Sequence, residues 1–164
     1  MAVRVIRENK RSAGLTPKSG VTIIAGEPVV LDTATSVRLY DSAAHTAGAL
    51  LYGIAAESTA QLPLAPANGM TAGQGYDYTN FARGGLVSCF ELGSELELFD
   101  DGHGLPYLTG GSESYALNAP VYADVTTGKV TSLAASGANS GVIGSIVDFD
   151  SATVPTRLRI KFSI

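Results

Sequence analysis

Two short runs decide how this chain folds: Glu95-Leu96-Glu97-Leu98 and, near the far end, Arg157-Leu158-Arg159-Ile160-Lys161-Phe162-Ser163-Ile164. Both alternate charged and apolar residues with a period of two. In an extended strand that spacing puts the apolar side chains on one face and the charges on the other. The charged faces are opposite in sign, acidic in the first run and basic in the second. The two strands are therefore expected to pair, with each favourable cross-strand pair contributing roughly 0.2–1 kcal/mol.

Working outward, short apolar runs bounded by Gly, Pro, Asp and Thr recur along the chain and predict further strands. They fall at 21–24, 28–31, 37–40, 50–55, 86–92, 95–99, 120–123, 129–133, 142–147 and 156–163. One stretch reads as helix: Asp41-Ser42 caps a turn through Ala43, Ala44 and His45, and Gly48 limits its length. The expected fold is all-β, a compact barrel- or sandwich-like domain of short antiparallel strands at 21–164. An extended basic arm at 1–20 precedes it, and a long central loop interrupts it at about 57–85.

The 164 residues allow one domain with a real core, or two very small ones. Charged residues make up 16% of the chain, against roughly 25% in an average soluble domain, so part of the surface is expected to be covered by partners. The net charge of -4 argues against a general attraction to nucleic acid or anionic lipid. Cys89, the single cysteine, cannot form an intramolecular disulfide, and no CxxC or Cys/His cluster offers a zinc site. No apolar run approaches the ~20 residues of a membrane span. Met1-Ala2-Val3-Arg4-Val5-Ile6-Arg7-Glu8 is charged where a signal peptide is apolar. The expectation is a soluble protein made in the cytoplasm.

Charge is distributed in blocks. Residues 1–18 hold Arg4, Arg7, Lys10, Arg11 and Lys18 against Glu8 alone, whereas between Arg38 and Lys129 the only base, Arg83, faces ten acids. A basic segment of low apolar content that precedes an acidic body commonly orders on a partner surface. Arg4, Arg7, Lys10, Arg11 and Lys18 are thus candidate contact residues, the alternatives being a solubilising tail or an edge strand of the chain's own domain. The stretch 57–85 lacks periodicity but carries Tyr76, Tyr78 and Phe81, which mark it as a candidate contact surface between subunits or with a partner. A plain surface insertion is the other reading.

Two segments look alike. Gly26-Glu27-Pro28-Val29-Val30-Leu31-Asp32 leads through Ser36-Val37-Arg38-Leu39 to Leu51-Tyr52-Gly53-Ile54-Ala55. Asn118-Ala119-Pro120-Val121-Tyr122-Ala123-Asp124 leads through Gly128-Lys129-Val130-Thr131 to Val142-Ile143-Gly144-Ser145-Ile146-Val147. From Pro28 to Gly53 is 25 residues, and from Pro120 to Gly144 is 24. Each reads as strand, tight turn, strand, loop, strand, and chance likeness of β-rich sequence is the competing reading.

An enzyme needs convergent reactive groups, and the sequence offers few. His45 and His103 sit in no HxH or HExxH spacing, and no GxSxG, P-loop or GxGxxG occurs. Asp100-Asp101-Gly102-His103 could ligate a cation, but Asp-Asp-Gly after a strand is also an ordinary turn. Cys89 lies within an apolar run, which suits a buried inert thiol. Glu91, Glu95 and Glu97 offer carboxylates, though the last two alternate with leucines on a strand face. No catalytic residue, metal or cofactor is expected.

The order of these pieces resembles the capsid cement, or head decoration, proteins of tailed bacteriophages. The pattern of that family is G-x-P-V, a central strand, P-V-Y-x-D, G-x-V-T, I-G and a terminal alternating strand. Here it corresponds to 26–30, 85–92, 120–124, 128–131, Ile143-Gly144 and 157–164, and the likeness is better after residue 118. The long 57–85 stretch and the basic arm depart from compact members. The resemblance implies a homotrimer on the exterior of the virion that clamps neighbouring major capsid proteins, made in the host cytoplasm, with no nucleic-acid or membrane partner. Another β-rich virion component, such as a head-fibre base, tail-tube or spike module, is the alternative function. A trimeric nucleotide-hydrolase barrel and a sugar-binding β-domain stand further off.

Overall fold

In the computed structural model of the chain, described at residues 3–7, 14–56, 58–59, 87–91, 93–100, 102, 104–134 and 140–162, the two deciding runs lie side by side. In chain order the described elements are β1 (Val3–Arg7), β2 (Thr16–Pro17), β3 (Pro28–Thr33), β4 (Ser36–Leu39), α1 (Ser42–Thr46), β5 (Gly53–Ala55), β6 (Cys89–Phe90), β7 (Glu95–Phe99), β8 (Pro120–Ala123), β9 (Val130–Thr131), β10 (Gly144–Phe149) and β11 (Arg157–Phe162). β7 and β11 are antiparallel, with Leu98 opposite Leu158, Glu97 opposite Arg159, Leu96 opposite Ile160 and Glu95 opposite Lys161. Period two then sorts the faces: Leu96, Leu98, Leu158, Ile160 and Phe162 are fully buried, while Arg157, Arg159 and Lys161 keep contact with solvent.

The strands form two curled sheets in a sandwich-like all-β fold. One is ordered β1-β7-β11-β10-β8-β9 and the other β2-β4-β3-β5-β6. The main core gathers Val3, Leu96, Leu98, Ile146, Leu158 and Ile160 from the first sheet with Val30, Ile54 and Phe90 from the second. A smaller core of Ile23, Val29, Val37, Ala55, Val87 and Cys89 also draws on β3 to β6, and Leu15 and Val21 pack against it. Both faces of the five-stranded sheet are therefore apolar, which is why Val29 and Val30, successive residues on one strand, are both fully buried.

The N-terminal segment is built into both sheets. Val3–Arg7 pairs antiparallel with β7, Leu15 bridges to Val87, and Thr16–Pro17 runs parallel to β4. Residues 15–17 thus join the two ends of the five-stranded sheet. Where it is described, the segment 1–20 pairs with the chain's own strands, as the edge-strand reading has it. The spacing of Val3 and Val5 favours this: alternation with Arg4 gives the segment an inward face, and the burial of Val3, with the ladder to β7, works against the ~1–2 kcal/mol cost of ordering each residue.

Other expectations shift at their edges. The capped turn is observed as α1, with the Asp41 carboxylate accepting from the Ala44 N–H at 2.8 Å. Residues 21–24 form no strand, because the backbone of Ile23 is held by Thr59 instead of a ladder: its N–H donates to Thr59 Oγ1 at 2.9 Å and its C=O accepts from the Thr59 N–H at 2.8 Å. Residues 50–52 precede β5 and do not extend it. Of the loop at about 57–85, only Ser58 and Thr59 lie among the described residues.

The two similar segments share one register. β3 pairs with β4 and β5 as β8 pairs with β9 and β10. Val29 stands opposite Gly53 in one, Val121 opposite Gly144 in the other. The backbone bonds coincide too. The Tyr52 N–H donates to Val29 O at 2.9 Å and the Ile143 N–H to Val121 O at 2.8 Å, while those of Gly26 and Asn118 reach Ala55 O and Ile146 O at 2.8 and 2.9 Å. A Cβ on Gly53 would lie 2.5 Å from Phe90 O, and one on Gly144 2.7 Å from Lys161 O, so the third strand of each repeat presses on its fourth, β6 or β11. Asn118, at φ 62 the one positive-φ residue besides glycine among the described residues, occupies the place of Gly26 at φ 97.

The repeat also extends beyond the stretch legible in the sequence. Pro17 runs parallel opposite Val37, and Tyr107 opposite Val130. β1 and β7, the strands that open the two repeats, pair about Arg4 and Glu97, with Val3 opposite Leu98 and Val5 opposite Leu96. That pairing is symmetric under exchange of the repeats. They differ most between third and fourth strands, where the first has residues 56–88 and the second only 150–156.

Candidate interaction surface

The outer face of the six-stranded sheet carries a row of charge. Register sets Arg4 opposite Glu97, Glu97 opposite Arg159 and Arg159 opposite Asp148, one residue from each of β1, β7, β11 and β10 in alternating sign. The bonds themselves run partly along diagonals. Arg4 Nη2 lies 3.2 Å from Glu97 Oε1, and Arg157 Nη1 donates to Glu97 Oε2 at 3.2 Å and to Asp148 Oδ2 at 2.8 Å. Arg159 pairs with Glu95. The hydrogen bond from Arg157 is the main reason that the Asp148 carboxyl titrates below its ordinary range, and the same bond raises Arg157. Glu97 is only 7% exposed and is satisfied by two guanidinium groups.

Of the five basic candidates, the two whose side chains are described, Arg4 and Lys18, lie on different sheets. Arg4 lies on β1 against Glu97, whereas Lys18, beside β4, donates to Asp32 Oδ1 at 3.0 Å. The same Asp32 oxygen stands 3.3 Å from Arg38 Nε, and Arg38 Nη1 donates to both oxygens of Asp41 at 2.7 and 2.9 Å. Arg7 is the last residue of β1, opposite Glu95, and its side chain lies outside what is described. Lys10 and Arg11, like Tyr76, Tyr78 and Phe81, also lie outside the described residues. Arg4 and Lys18 thus each pair with an acid, 93 and 14 positions away along the chain, and each acid also meets a second base, Arg157 or Arg38.

A cleft of about 330 Å³ opens between the approaches to β5 and β10, lined by residues 48–51 and 140–143 with Tyr40 and His45. These approaches are equivalent in the two repeats, so the cleft sits where the repeats meet. The Tyr40 hydroxyl is 2.9 Å from His45 Nδ1, and burial raises the Tyr40 pKa. Leu50, 86% exposed, and Val142, 51% exposed, stand in its lining. Sequence reasoning assigned both to strands and so missed them as surface groups. Gly48 just before Ala49-Leu50-Leu51 was the available signal.

The remaining candidates resolve individually. Asp100 Oδ1 accepts from the N–H groups of Gly102 and Gly104 at 2.7 and 2.9 Å, the geometry of a turn, while Asp101 and His103 lie outside the described residues. Cys89 is fully buried on β6. Glu113, also buried, accepts from Thr131 Oγ1 at 2.6 Å and from Ser132 N–H and Oγ, each at 2.7 Å. Glu27 was not singled out by its sequence context. It is 3% exposed, accepts from the Ile24 N–H at 2.8 Å, and burial pushes its pKa up to about 7. Among the described residues no three His, Cys, Asp or Glu side chains converge on a metal position, and no helix is long and apolar enough to cross a membrane. No protein-family model matches the chain, and no curated protein matches it.

Proposed function

We propose that this chain is a structural protein of a tailed-bacteriophage head, binding the outer surface of the capsid and stabilising its lattice as a cement or decoration protein. In this reading its partners are the major capsid protein and two further copies of itself, it acts at the virion exterior, and it performs no chemistry. The observation that carries the proposal is where the resembling segments lie. Residues 120–124, 128–131, Ile143-Gly144 and 157–162 fall on or beside β8, β9, β10 and β11, which are consecutive strands of one sheet in the order β9-β8-β10-β11. The earlier segments of the pattern, 26–30 and the described part of 85–92, lie on or beside β3 and β6 of the other sheet.

Two further features support it. Only 16% of residues are charged, and Leu50 and Val142 leave apolar surface beside a cleft bordered by glycines, as suits a protein covered in its working state. Attachment at many equivalent sites of a symmetric shell would multiply a modest affinity. The test is co-sedimentation of the purified chain with shells of the major capsid protein encoded near it, before and after lattice expansion. Saturable binding to expanded shells is the expected result. Absence of binding to either form would overturn the proposal in favour of another virion component.

A further inference from the structure

Among the described residues, the end strands of the two sheets are flanked by further backbone with one exception. β9 is flanked by Tyr107 and Leu108, β4 by β2, and Val87, just before β6, by Leu15. β1 ends the six-stranded sheet, and among the described residues its outer side takes no backbone partner. We infer that this edge of β1 is a docking site for an extended segment of another protein in which acidic and apolar residues alternate. The inference names the contact, and only the identification of the partner as a capsid protein rests on the function proposed above.

Charge argues first. Along the row Asp148, Arg159, Glu97, Arg4 the sign changes at every strand, and the row stops at an arginine whose side chain is 65% exposed. An acid on the next strand continues that order, whereas a base there sets like charges side by side. The apolar face argues second. Val3 is buried and Val5 packs against the main core, so apolar residues on either side of the incoming acid extend the same interior. The repeat argues third. β7, the counterpart of β1, is bordered on its second side by β11, a strand of alternating apolar and charged residues, and the outer side of β1 is the equivalent position. The β1 of a second copy fits badly, because it offers Arg4 and Arg7 and no acid. Backbone bonds of an added strand supply affinity, and alternate side chains supply selectivity.

The probe is a synthetic peptide with the sequence of residues 94–100, Ser-Glu-Leu-Glu-Leu-Phe-Asp, end-blocked, alongside a version with lysine in place of both glutamates. Amide hydrogen exchange of residues 3–7 is measured in the full chain at low salt. The acidic peptide is expected to slow exchange there by about tenfold, and the lysine peptide to leave it unchanged. In Arg4→Glu the preference reverses. Should that variant not fold beside Glu97, Arg4→Gln weakens protection by the acidic peptide without reversing the preference. Unchanged exchange at millimolar acidic peptide, or equal protection by both peptides, overturns the inference. Shell binding without peptide protection removes the β1 edge and leaves the capsid role standing, while peptide protection without shell binding does the reverse.

Discussion

Burial holds the Glu27 carboxyl at about 7, against 4.5 for an ordinary glutamate, and this sets part of the protein's response to pH. A group whose folded pKa is raised stabilises the fold fully below its unfolded value, and that stability is lost as pH rises through the folded one. Stability is therefore expected to fall between about pH 4.5 and 7, by roughly 3 kcal/mol if Glu27 acts alone. Thermal melts of wild type and Glu27→Gln at pH 5 and pH 8 check this. The variant, which keeps an acceptor for the Ile24 N–H, should show the smaller drop, and parallel curves would exclude the effect. Asn118 offers a second test at this scale. Its left-handed backbone costs an alanine about 1 kcal/mol and a glycine none, so Asn118→Ala should lower Tm while Asn118→Gly holds or raises it.

Among the elements, β1 and β2 tie the N-terminal segment into both sheets. Removing residues 1–18 takes Val3 from the main core and Leu15 from the smaller one, so the truncated chain is expected to lose cooperative unfolding in urea, or to show a clearly lower midpoint. An unchanged midpoint would mean that the edge strands add nothing. Strands long enough to show their period were legible in the sequence: β7 and β11 display four and six alternating positions, at 95–98 and 157–162, and their pairing follows from their charges. β2, β6 and β9, of two residues each, are too short for any period to show. Residues 21–24 misled because Ile23 is as buried as a strand residue while its backbone is satisfied by Thr59. Arg4 and Lys18 were legible as basic residues but not in their pairing, since Glu97 and Asp32, which meet them, are joined to them only by the fold.

At the scale of the molecule, two repeats with a common register share one core, and the second is completed by its last strand. β11 lies between β7 and β10, so the six-stranded sheet cannot close until residues 157–162 are in place. The five-stranded sheet needs nothing beyond residue 90. During synthesis the first repeat can thus assemble while β1 waits for β7, more than ninety positions along the chain, and β7 waits for β11. Such distant contacts slow folding, because the entropy of closing long loops is lost before the contacts reward it. A nascent chain halted short of β11 would therefore leave the ribosome exit with one apolar face of its five-stranded sheet bare, the species that chaperones capture and that aggregates when they do not.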